Sequence, residues 1–588
     1  MILRYCLLPA LLSAAALAQA QPVSETIRIE GHVAASMRDG VKLYADVYRP
    51  RREGRFPTLI TRTPYGVQRD GMHEAVIGFA QRGYAVIVQD TRGRYESEGA
   101  WDPFRNEAND GYDTVEWAAR QPWSNGKVGM HGGSYLGHVQ WQAATLAPPH
   151  LTAIFPVLAS TSVYHNTFFH GGAFKLALAL GWGVVRMPNR IMNPQYWHME
   201  GYAPQELKYD NIVWTLPLQR LDLESSGQKV GFFRDWLQHQ SYDAYWRAIS
   251  DEERFDRVNV PVYTLGGWFD LLLGGTINGY TGVRRHGATE AARKGARMII
   301  GPWGHGPTRK YGDLDFGPDA MRSLFDLELR WNDRYLKGID NGIDREEPVE
   351  LFVMGLNQWK RFADWPVPGT RFTPLYLASG GHANTLRGDG RLAFEAPAGA
   401  PSDTYTYDPL HPVASVGGND CCGAPFPTGP RDQRPVESRA DVLAYTSEIL
   451  SKPLAIAGPV KMNLFAATDG PDTDFMIKLV DVYPDGSAMN VAEGILRARF
   501  HLGLDRVDLL KANMPYAFEI DMRGTANVFL PGHRIRVDVT SSNFPQYDRN
   551  PNTGEDLGVS DRVRTATQTV FHLSGRHSHI LLPLIELP

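Results

Sequence analysis

Residues 127–137 constrain the fold of this chain more than any other stretch. An apolar segment leads into glycines on either side of Ser134, and a helical pattern follows until Pro148. A serine at a sharp strand-to-helix turn needs small neighbours, because any nearby Cβ would clash with the strained backbone. The pattern over 132–137 is Gly-x-Ser-Tyr-x-Gly, in which the second glycine comes one residue later than in Gly-x-Ser-x-Gly. Taken alone, such a pattern is more often a glycine-rich turn without chemistry.

Apolar strands alternate with helical patterns in two parts of the chain. Residues 25–60 predict a hairpin that turns at 37–40, and further buried strands are predicted at 56–61, 83–90, 260–267 and 297–300. Continuous apolar strands separated by helices are typical of a parallel sheet that is buried on both faces. The alternation stops between about 150 and 245, where aromatic residues and histidines accumulate. After about 350, short alternating strands separated by Gly, Pro, Asn and Asp predict a β-sandwich.

We therefore predict an α/β fold divided into five segments. They are a signal peptide at 1–20, the first part of an α/β domain at 21–149, a helical cap at 150–245, the second part of the α/β domain at 246–349 and a β-sandwich at 350–588.

The first twenty residues have the features of a secretory signal. Arg4 precedes a short apolar core, and Ala18-Gln19-Ala20 provides a small-x-small cleavage site. The apolar core is too short to span a membrane. We therefore expect a periplasmic or secreted protein without a membrane span, and the alternative is a cytosolic chain with an apolar N-terminus.

Charge and cysteine content narrow the function further. Lys and Arg number 60 and Asp and Glu 65, giving a net charge of −5. No basic block is present, which argues against nucleic acid as a partner. Cys421 and Cys422 are adjacent, and in an oxidising compartment they are either a vicinal disulfide or two free thiols. They do not resemble a zinc site, which needs spaced ligands.

Ser134, Asp270 and His305 have the residue types and the order of a catalytic triad. Each follows a predicted parallel strand, so one edge of one sheet can hold all three. A serine hydroxyl needs a base to remove its proton, which predicts this role for His305. Asp270 would orient the imidazole and stabilise its cation. The alternatives are a helix N-cap for Asp270 and an ordinary loop position for His305.

Several motifs resemble those of a known family. The serine motif at 132–137 occurs with Gly-Trp-Phe-Asp at 267–270 and Gly-Pro-Trp-Gly-His at 301–305. Together they resemble the cocaine esterase, α-amino-acid ester hydrolase and X-Pro dipeptidyl-peptidase (CocE/NonD) family of serine hydrolases, and glutaryl-cephalosporin acylases are similar. The resemblance covers nearly the whole mature chain. It implies an α/β-hydrolase domain with an inserted helical cap and a C-terminal jelly roll.

The resemblance also implies an oxyanion hole. In the family, a tyrosine hydroxyl from a Thr-Pro-Tyr turn acts together with the backbone N–H that follows the nucleophile. The matching positions are Tyr65 and Tyr135. Donors aimed at a developing oxyanion stabilise charge where it appears. The alternative for Tyr65 is an aromatic side chain packed on the sheet.

Departures from the family indicate the substrate. The amino-acid ester hydrolases bind an α-ammonium group with carboxylates, two of which follow the triad aspartate. Leu271, Leu272 and Leu273 occupy that place, and the matching cap stretch at 165–174 has no acid either. An unpaired ammonium group would be costly to desolvate, so we expect neutral or apolar acyl groups. Candidate substrate contacts, with core packing as the alternative, are His165, Phe169, His170, Trp182 and Trp268.

The sequence thus predicts an exported serine hydrolase that cleaves carboxylic esters, or amides, through an acyl-serine. Its partner is a small-molecule ester or amide, no metal or organic cofactor is needed, and a homo-oligomer is left open. The first alternative is an acylase or X-Pro dipeptidyl-peptidase acting on amide bonds. The second is a non-catalytic glycan-binding protein in which the jelly roll carries the function.

Overall fold

The computed structural model describes residues 26–67, 72–192, 209–422, 424–573 and 575–586. The predicted signal peptide lies outside these residues. Two large sheets organise the described chain. Among the described residues, no helix combines the length and the apolar character that crossing a membrane requires.

The first sheet has ten strands in the order β1-β2-β4-β3-β5-β6-β7-β8-β9-β10. The strands are β1 (Ile27–Ser36), β2 (Lys42–Pro50), β3 (Phe56–Thr63), β4 (Ala85–Asp90), β5 (Ser124–Gly133), β6 (Leu151–Val157), β7 (Tyr263–Gly267), β8 (Arg297–Gly301), β9 (Val349–Val353) and β10 (Gln358–Phe362). Strands β3 to β9 pair in parallel. The two edges are antiparallel: β1 and β2 form the predicted hairpin, and β9 pairs with β10.

Helices cover both faces of this sheet and explain why its central strands are buried throughout. They are α1 (Met72–Gln81), α2 (Glu107–Ala119), α3 (Tyr135–Ala144), α4 (Leu273–His286), α5 (Glu290–Gly295) and α6 (Leu324–Tyr335). Every residue of β3, β4, β7 and β8 is buried. A parallel sheet that is covered on both sides requires such a pattern.

The inserted segment follows β6 and consists of short helical turns. They are Val163–Phe168, Leu176–Leu178, Ala179–Arg186, Tyr209–Ile212, Leu218–Arg220, Leu221–Ser226, Gly231–Gln238, Ala244–Arg247 and Glu252–Arg257, with a small hairpin of Phe169–His170 and Ala173–Phe174. Aromatic side chains hold this segment together; Phe168 and Trp236, for example, stack with their ring centroids 3.7 Å apart.

The second sheet is antiparallel apart from one pair and forms the C-terminal sandwich. Its strands are β11 (Arg371–Ala378), β12 (Arg391–Ala393), β13 (Ala400–Tyr407), β14 (Leu443–Ser447), β15 (Leu454–Thr468), β16 (Asp474–Val482), β17 (Ala488–Arg497), β18 (Tyr516–Phe529), β19 (Arg534–Thr540), β20 (Ala566–Leu573), β21 (Arg576–His577) and β22 (His579–Leu584). Strand β18 pairs with β15 along almost its whole length. The predicted fold class, an α/β domain followed by a β-sandwich, is confirmed.

Two predicted boundaries are wrong. Residues 151–157 form β6, which pairs with β5 inside the first sheet, so the insertion cannot begin at 150. Pro156 lies within this strand, and a proline normally argues against a central strand. Residues 349–362 form β9 and β10, so the second sheet begins at β11 and not at 350. Their alternating pattern suits a sandwich, but β9 pairs in parallel with β8.

Candidate active site

Ser134 occupies a strained turn between β5 and α3. Its backbone has φ 61° and ψ −124°, in a region that non-glycine residues rarely adopt. A Cβ at Gly132 would lie 2.8 Å from the Cβ of Leu136, and one at Gly137 would lie 2.6 Å from the Cβ of Ala159. The late second glycine therefore allows α3 to approach the residues after β6. This is the geometry that exposes a serine hydroxyl at the end of a strand.

Asp270 and His305 are joined by a short hydrogen bond. His305 Nδ1 lies 2.5 Å from Asp270 Oδ2, and the other carboxylate oxygen accepts the backbone N–H of Leu272 at 2.8 Å. Asp270 is fully buried, whereas the His305 side chain is 14% exposed. Both follow strand ends of the first sheet, β7 and β8. The carboxylate fixes the imidazole proton on Nδ1 and leaves Nε2 as the basic nitrogen.

Ser134 and His305 line the same cavity, which has a volume of about 520 Å³. Most of its wall is apolar. The apolar lining residues include Val76, Phe104, Leu136, Val157, Leu158, Phe168, Leu178, Met192, Leu271, Leu272, Leu324 and Phe325. The cavity therefore places a serine and an oriented imidazole beside an acyl-sized apolar space.

Tyr65 and Tyr135 also line this cavity. The Tyr65 hydroxyl accepts a hydrogen bond from Trp182 Nε1 at 3.0 Å, which fixes its position on the cavity wall. The Tyr135 hydroxyl donates to Glu107 Oε1 at 2.8 Å and accepts from the Phe104 N–H. These bonds direct the Tyr135 side chain towards the core. Its backbone N–H belongs to the first turn of α3, where amides have no acceptor within the helix.

Of the five predicted substrate contacts, Trp182 lines the cavity and the other four do not. Phe169 is buried and stacks on Tyr164, with ring centroids 4.6 Å apart. His165 lies 3.6 Å from Glu252 Oε2 in a separate polar cluster. Both side chains therefore belong to the packing of the inserted segment, the alternative interpretation of these residues.

His170 and Trp268 are held by backbone carbonyls away from the cavity. His170 Nε2 lies 3.0 Å from the carbonyl oxygen of Asp521, and burial lowers the pKa of His170 well below its usual value. The indole N–H of Trp268 donates to the carbonyl of Phe352 at 2.8 Å. The structure therefore places both side chains outside the lining of this cavity, and sequence position does not show which way a buried side chain points.

Two features of the cavity wall were not predicted. Glu328, from α6, lies on the wall with its carboxylate 2.8 Å from His131 Nδ1. Cys421 and Cys422 also line the cavity. They form a vicinal disulfide, which is the first of the two predicted alternatives, the other being two free thiols.

The disulfide belongs to residues 417–429, here called the cavity loop. Two hydrogen bonds between the backbones of Gly418 and Gly429 close its base. Beside the disulfide, the Asn419 amide donates to the carbonyls of Trp268 at 2.9 Å and Asp270 at 3.0 Å. The C-terminal domain thus holds the backbone that carries Asp270.

Two buried ionisable residues, Lys175 and Asp420, lie close to this contact. Lys175 donates to the carbonyl of Leu271 at 3.3 Å, and burial lowers its pKa. Burial also raises the pKa of the Asp420 carboxyl group, and the positive charge of Lys175 offsets part of this rise. The backbone on either side of Asp270 is therefore fixed by buried polar contacts.

Comparison with known proteins places this site in a family. Residues 39–307 match the family model of the X-Pro dipeptidyl-peptidase (S15 family), and residues 341–581 match that of the X-Pro dipeptidyl-peptidase C-terminal non-catalytic domain. A cocaine esterase from Rhodococcus sp. (strain MB1 Bresler) is 37% identical over 580 residues, covering 95% of this chain and 99% of the relative.

Solved structures agree with this assignment. An α-amino acid ester hydrolase superposes with a TM-score of 0.82 at 27% identity, covering 98% of this chain and 100% of that chain. An aminopeptidase from a marine sediment archaeon, Thaumarchaeota archaeon, also has a TM-score of 0.82, at 26% identity, covering 98% of this chain and 99% of that chain. The chain therefore belongs to the family that joins cocaine esterase with the S15 X-Pro dipeptidyl-peptidases, the CocE/NonD family, and is a serine hydrolase.

Proposed function

We propose that this protein is an exported esterase that cleaves carboxylic esters of neutral or apolar acyl groups through an acyl-serine intermediate. One observation carries the proposal: Ser134, in its strained turn, and the Asp270-bound His305 line one apolar cavity. The likeness to a cocaine esterase over nearly the whole of both chains supports ester hydrolysis.

The proposed mechanism uses the residues in these roles. His305 Nε2 takes the proton of Ser134 as the serine oxygen attacks the ester carbonyl, and then protonates the leaving alcohol. Asp270 keeps the imidazole oriented and stabilises its cation. The Tyr65 hydroxyl and the Tyr135 N–H hold the oxyanion. Water, activated by the same histidine, then releases the acid from the serine.

The polarity of the cavity supports a neutral acyl group. Leu271 and Leu272, in the position where the amino-acid ester hydrolases have acids, line the wall. Among the described lining residues, Glu328 is the one carboxylate, and it lies beside His131. An ammonium group in the apolar part of the cavity would lose its hydration without gaining a partner.

A peptidase or acylase is the second candidate, because the matching family models are named for X-Pro dipeptidyl-peptidase. A dipeptidyl-peptidase must accommodate the free amino terminus of a peptide, and Glu328 is the described lining group that could pair with it. The glycan-binding alternative is set aside because the chain is a serine hydrolase.

Labelling and a substrate panel test the proposal together. A fluorophosphonate probe should label the wild type but not Ser134→Ala. The control variant is Ser160→Ala, which replaces another serine of the same cavity and should still be labelled. If Ser134→Ala is still labelled, Ser134 is not the nucleophile. p-Nitrophenyl butyrate should be turned over at least tenfold faster than its α-amino counterpart, a glutaryl anilide or an X-Pro anilide. The reverse preference would favour the amide-cleaving alternative.

Export rests on the sequence of residues 1–20. We expect the recovered protein to begin at Gln21, which mass spectrometry of the N-terminal peptide measures. A chain that retains Met1 in the cytosolic fraction would contradict export.

A further inference from the structure

The Cys421–Cys422 disulfide lies directly beside the proposed catalytic base. A ring nitrogen of His305 and the two Sγ atoms all lie within 4.8 Å of one another. The three residues line the same cavity and are half-buried, so a small solute can reach them. The sequence argument against a zinc site considered the two cysteines alone, and folding brings a third ligand to them.

These atoms suit one tetrahedral ion. Zn²⁺ binds thiolate sulfur at about 2.3 Å and imidazole nitrogen at about 2.0 Å, which places the ligands of one ion roughly 3–4 Å apart. His305 Nδ1 is occupied by Asp270, so Nε2 is the nitrogen left for a metal. A carboxylate on the far side of a ligating imidazole is the arrangement that orients histidines at zinc sites.

The cavity loop is held on both sides of the two cysteines. The paired backbones of Gly418 and Gly429 close its base. Asn419 fixes it to the segment that carries Asp270, and the Cys421 N–H donates to Asp420 Oδ1 at 2.7 Å. Opening the disulfide breaks none of these bonds. The two thiols therefore stay near His305 after reduction.

We propose that reduction of the Cys421–Cys422 disulfide creates a Zn²⁺ site formed by the two thiolates and His305 Nε2, and that the bound ion switches the hydrolase off. A dithiol supplies the two electrons and two protons: the S–S bond breaks, two thiols form, and the dithiol becomes a cyclic disulfide. Binding of Zn²⁺ then displaces both thiol protons.

The inhibitory part rests on the proposed function, since it requires His305 to be the base. A lone pair on Nε2 that is shared with a metal cannot accept the serine proton. In the oxidised protein the sulfur atoms are bonded to each other, so the thiolate ligands do not exist. Metal sensitivity is thus confined to the reduced form.

Cobalt(II) reports the site independently of catalysis. The purified protein is reduced with dithiothreitol, desalted under nitrogen and titrated with Co²⁺. We expect one equivalent to bind with the thiolate charge-transfer absorption, and Zn²⁺ to displace it. The oxidised protein and the Cys421→Ser/Cys422→Ser variant should show no such absorption. His305→Gln should keep both titratable thiols and bind Co²⁺ at least tenfold more weakly.

Ester hydrolysis is measured on the same samples. Reduced wild type should lose more than tenfold of its rate in excess Zn²⁺ and recover it with a chelator, whereas the double-serine variant should be unaffected. Reduced protein that binds no Co²⁺, or loses activity on reduction alone, would overturn the proposal. So would Co²⁺ binding of equal strength in His305→Gln. A protein that binds one Co²⁺ but hydrolyses no ester would overturn the proposed function and leave the metal site standing.

Discussion

Asn419 joins the C-terminal domain to the acid of the proposed triad, and replacing it tests whether that contact matters for catalysis. Its amide nitrogen donates to the carbonyls of Trp268 and Asp270, and the residue is 4% exposed. Asn419→Leu keeps the approximate volume and removes both donors. The buried Trp268 carbonyl then loses its donor, at a cost of about 1–3 kcal/mol before relaxation, whereas the Asp270 carbonyl keeps the N–H of Leu273 at 3.2 Å.

Part of that cost should appear in catalysis, because the freed segment carries Asp270. If about 1.4 kcal/mol of the lost positioning is felt in the transition state, kcat falls roughly tenfold. KM should change little, since Asn419 does not line the cavity. A less well oriented Asp270 also stabilises the imidazolium less, so the acidic limb of the pH profile for kcat/KM should move to lower pH.

The chain offers a control in Asn384, which is half-buried whereas Asn419 is buried. Its amide also donates to two carbonyls, those of Thr404 and Ala440, both at 2.9 Å, but within the sandwich. Asn384→Leu should lower the thermal midpoint and leave kcat and the pH profile unchanged. The assay is p-nitrophenyl butyrate hydrolysis across pH, with circular dichroism for folding. Equal kinetic effects in the two variants, or a wild-type kcat in Asn419→Leu, would refute the positioning argument.

Two further predictions concern the oxyanion hole and a buried carboxyl group. Tyr65→Phe should lower kcat by about 10²–10³ with little change in KM, because one oxyanion donor is lost. Trp182→Phe keeps an aromatic ring on the cavity wall but removes the indole N–H that donates to Tyr65, and it should cost less. Steady-state kinetics in which Tyr65→Phe is as active as wild type would exclude the hydroxyl from the oxyanion hole. Burial raises the pKa of Asp90 to about 7, so the folded protein retains that proton more strongly than the unfolded chain. Its contribution to stability is present below about pH 4 and is lost as pH rises to about 7. The thermal midpoint of Asp90→Asn should therefore fall less than that of wild type between pH 5 and 8, and parallel pH curves would contradict this.

The fold class followed from local patterns, but two sheet boundaries did not. Strands β3, β4, β7 and β8 are buried runs, and their pattern predicts a parallel sheet directly. Strand β6 was missed because Pro156 interrupts an otherwise apolar run. The β9–β10 hairpin was assigned to the sandwich because its alternation is compatible with either sheet, and only pairing with β8 decides.

Local sequence patterns also predict only part of the side-chain arrangement in the site. The strand order predicts that Asp270 and His305 follow neighbouring strands, and the structure brings them together. Asn419 is 149 residues from Asp270 in the sequence, so nothing local indicates their contact. Glu328 lies on a helix whose pattern indicates only packing against the sheet. Both depend on tertiary contacts that a single sequence does not encode in any local motif.

The cavity loop has a consequence for how the enzyme matures. Ser134 and His305 leave the ribosome well before residues 417–429, which complete the cavity wall and secure the segment of Asp270. The loop is in turn anchored to the sandwich, where the Asn419 N–H donates to Glu493 at 2.9 Å. A nascent chain therefore carries its nucleophile and its base long before it carries the part that holds the acid in place. We therefore expect competence for hydrolysis to depend on the folding of the C-terminal third.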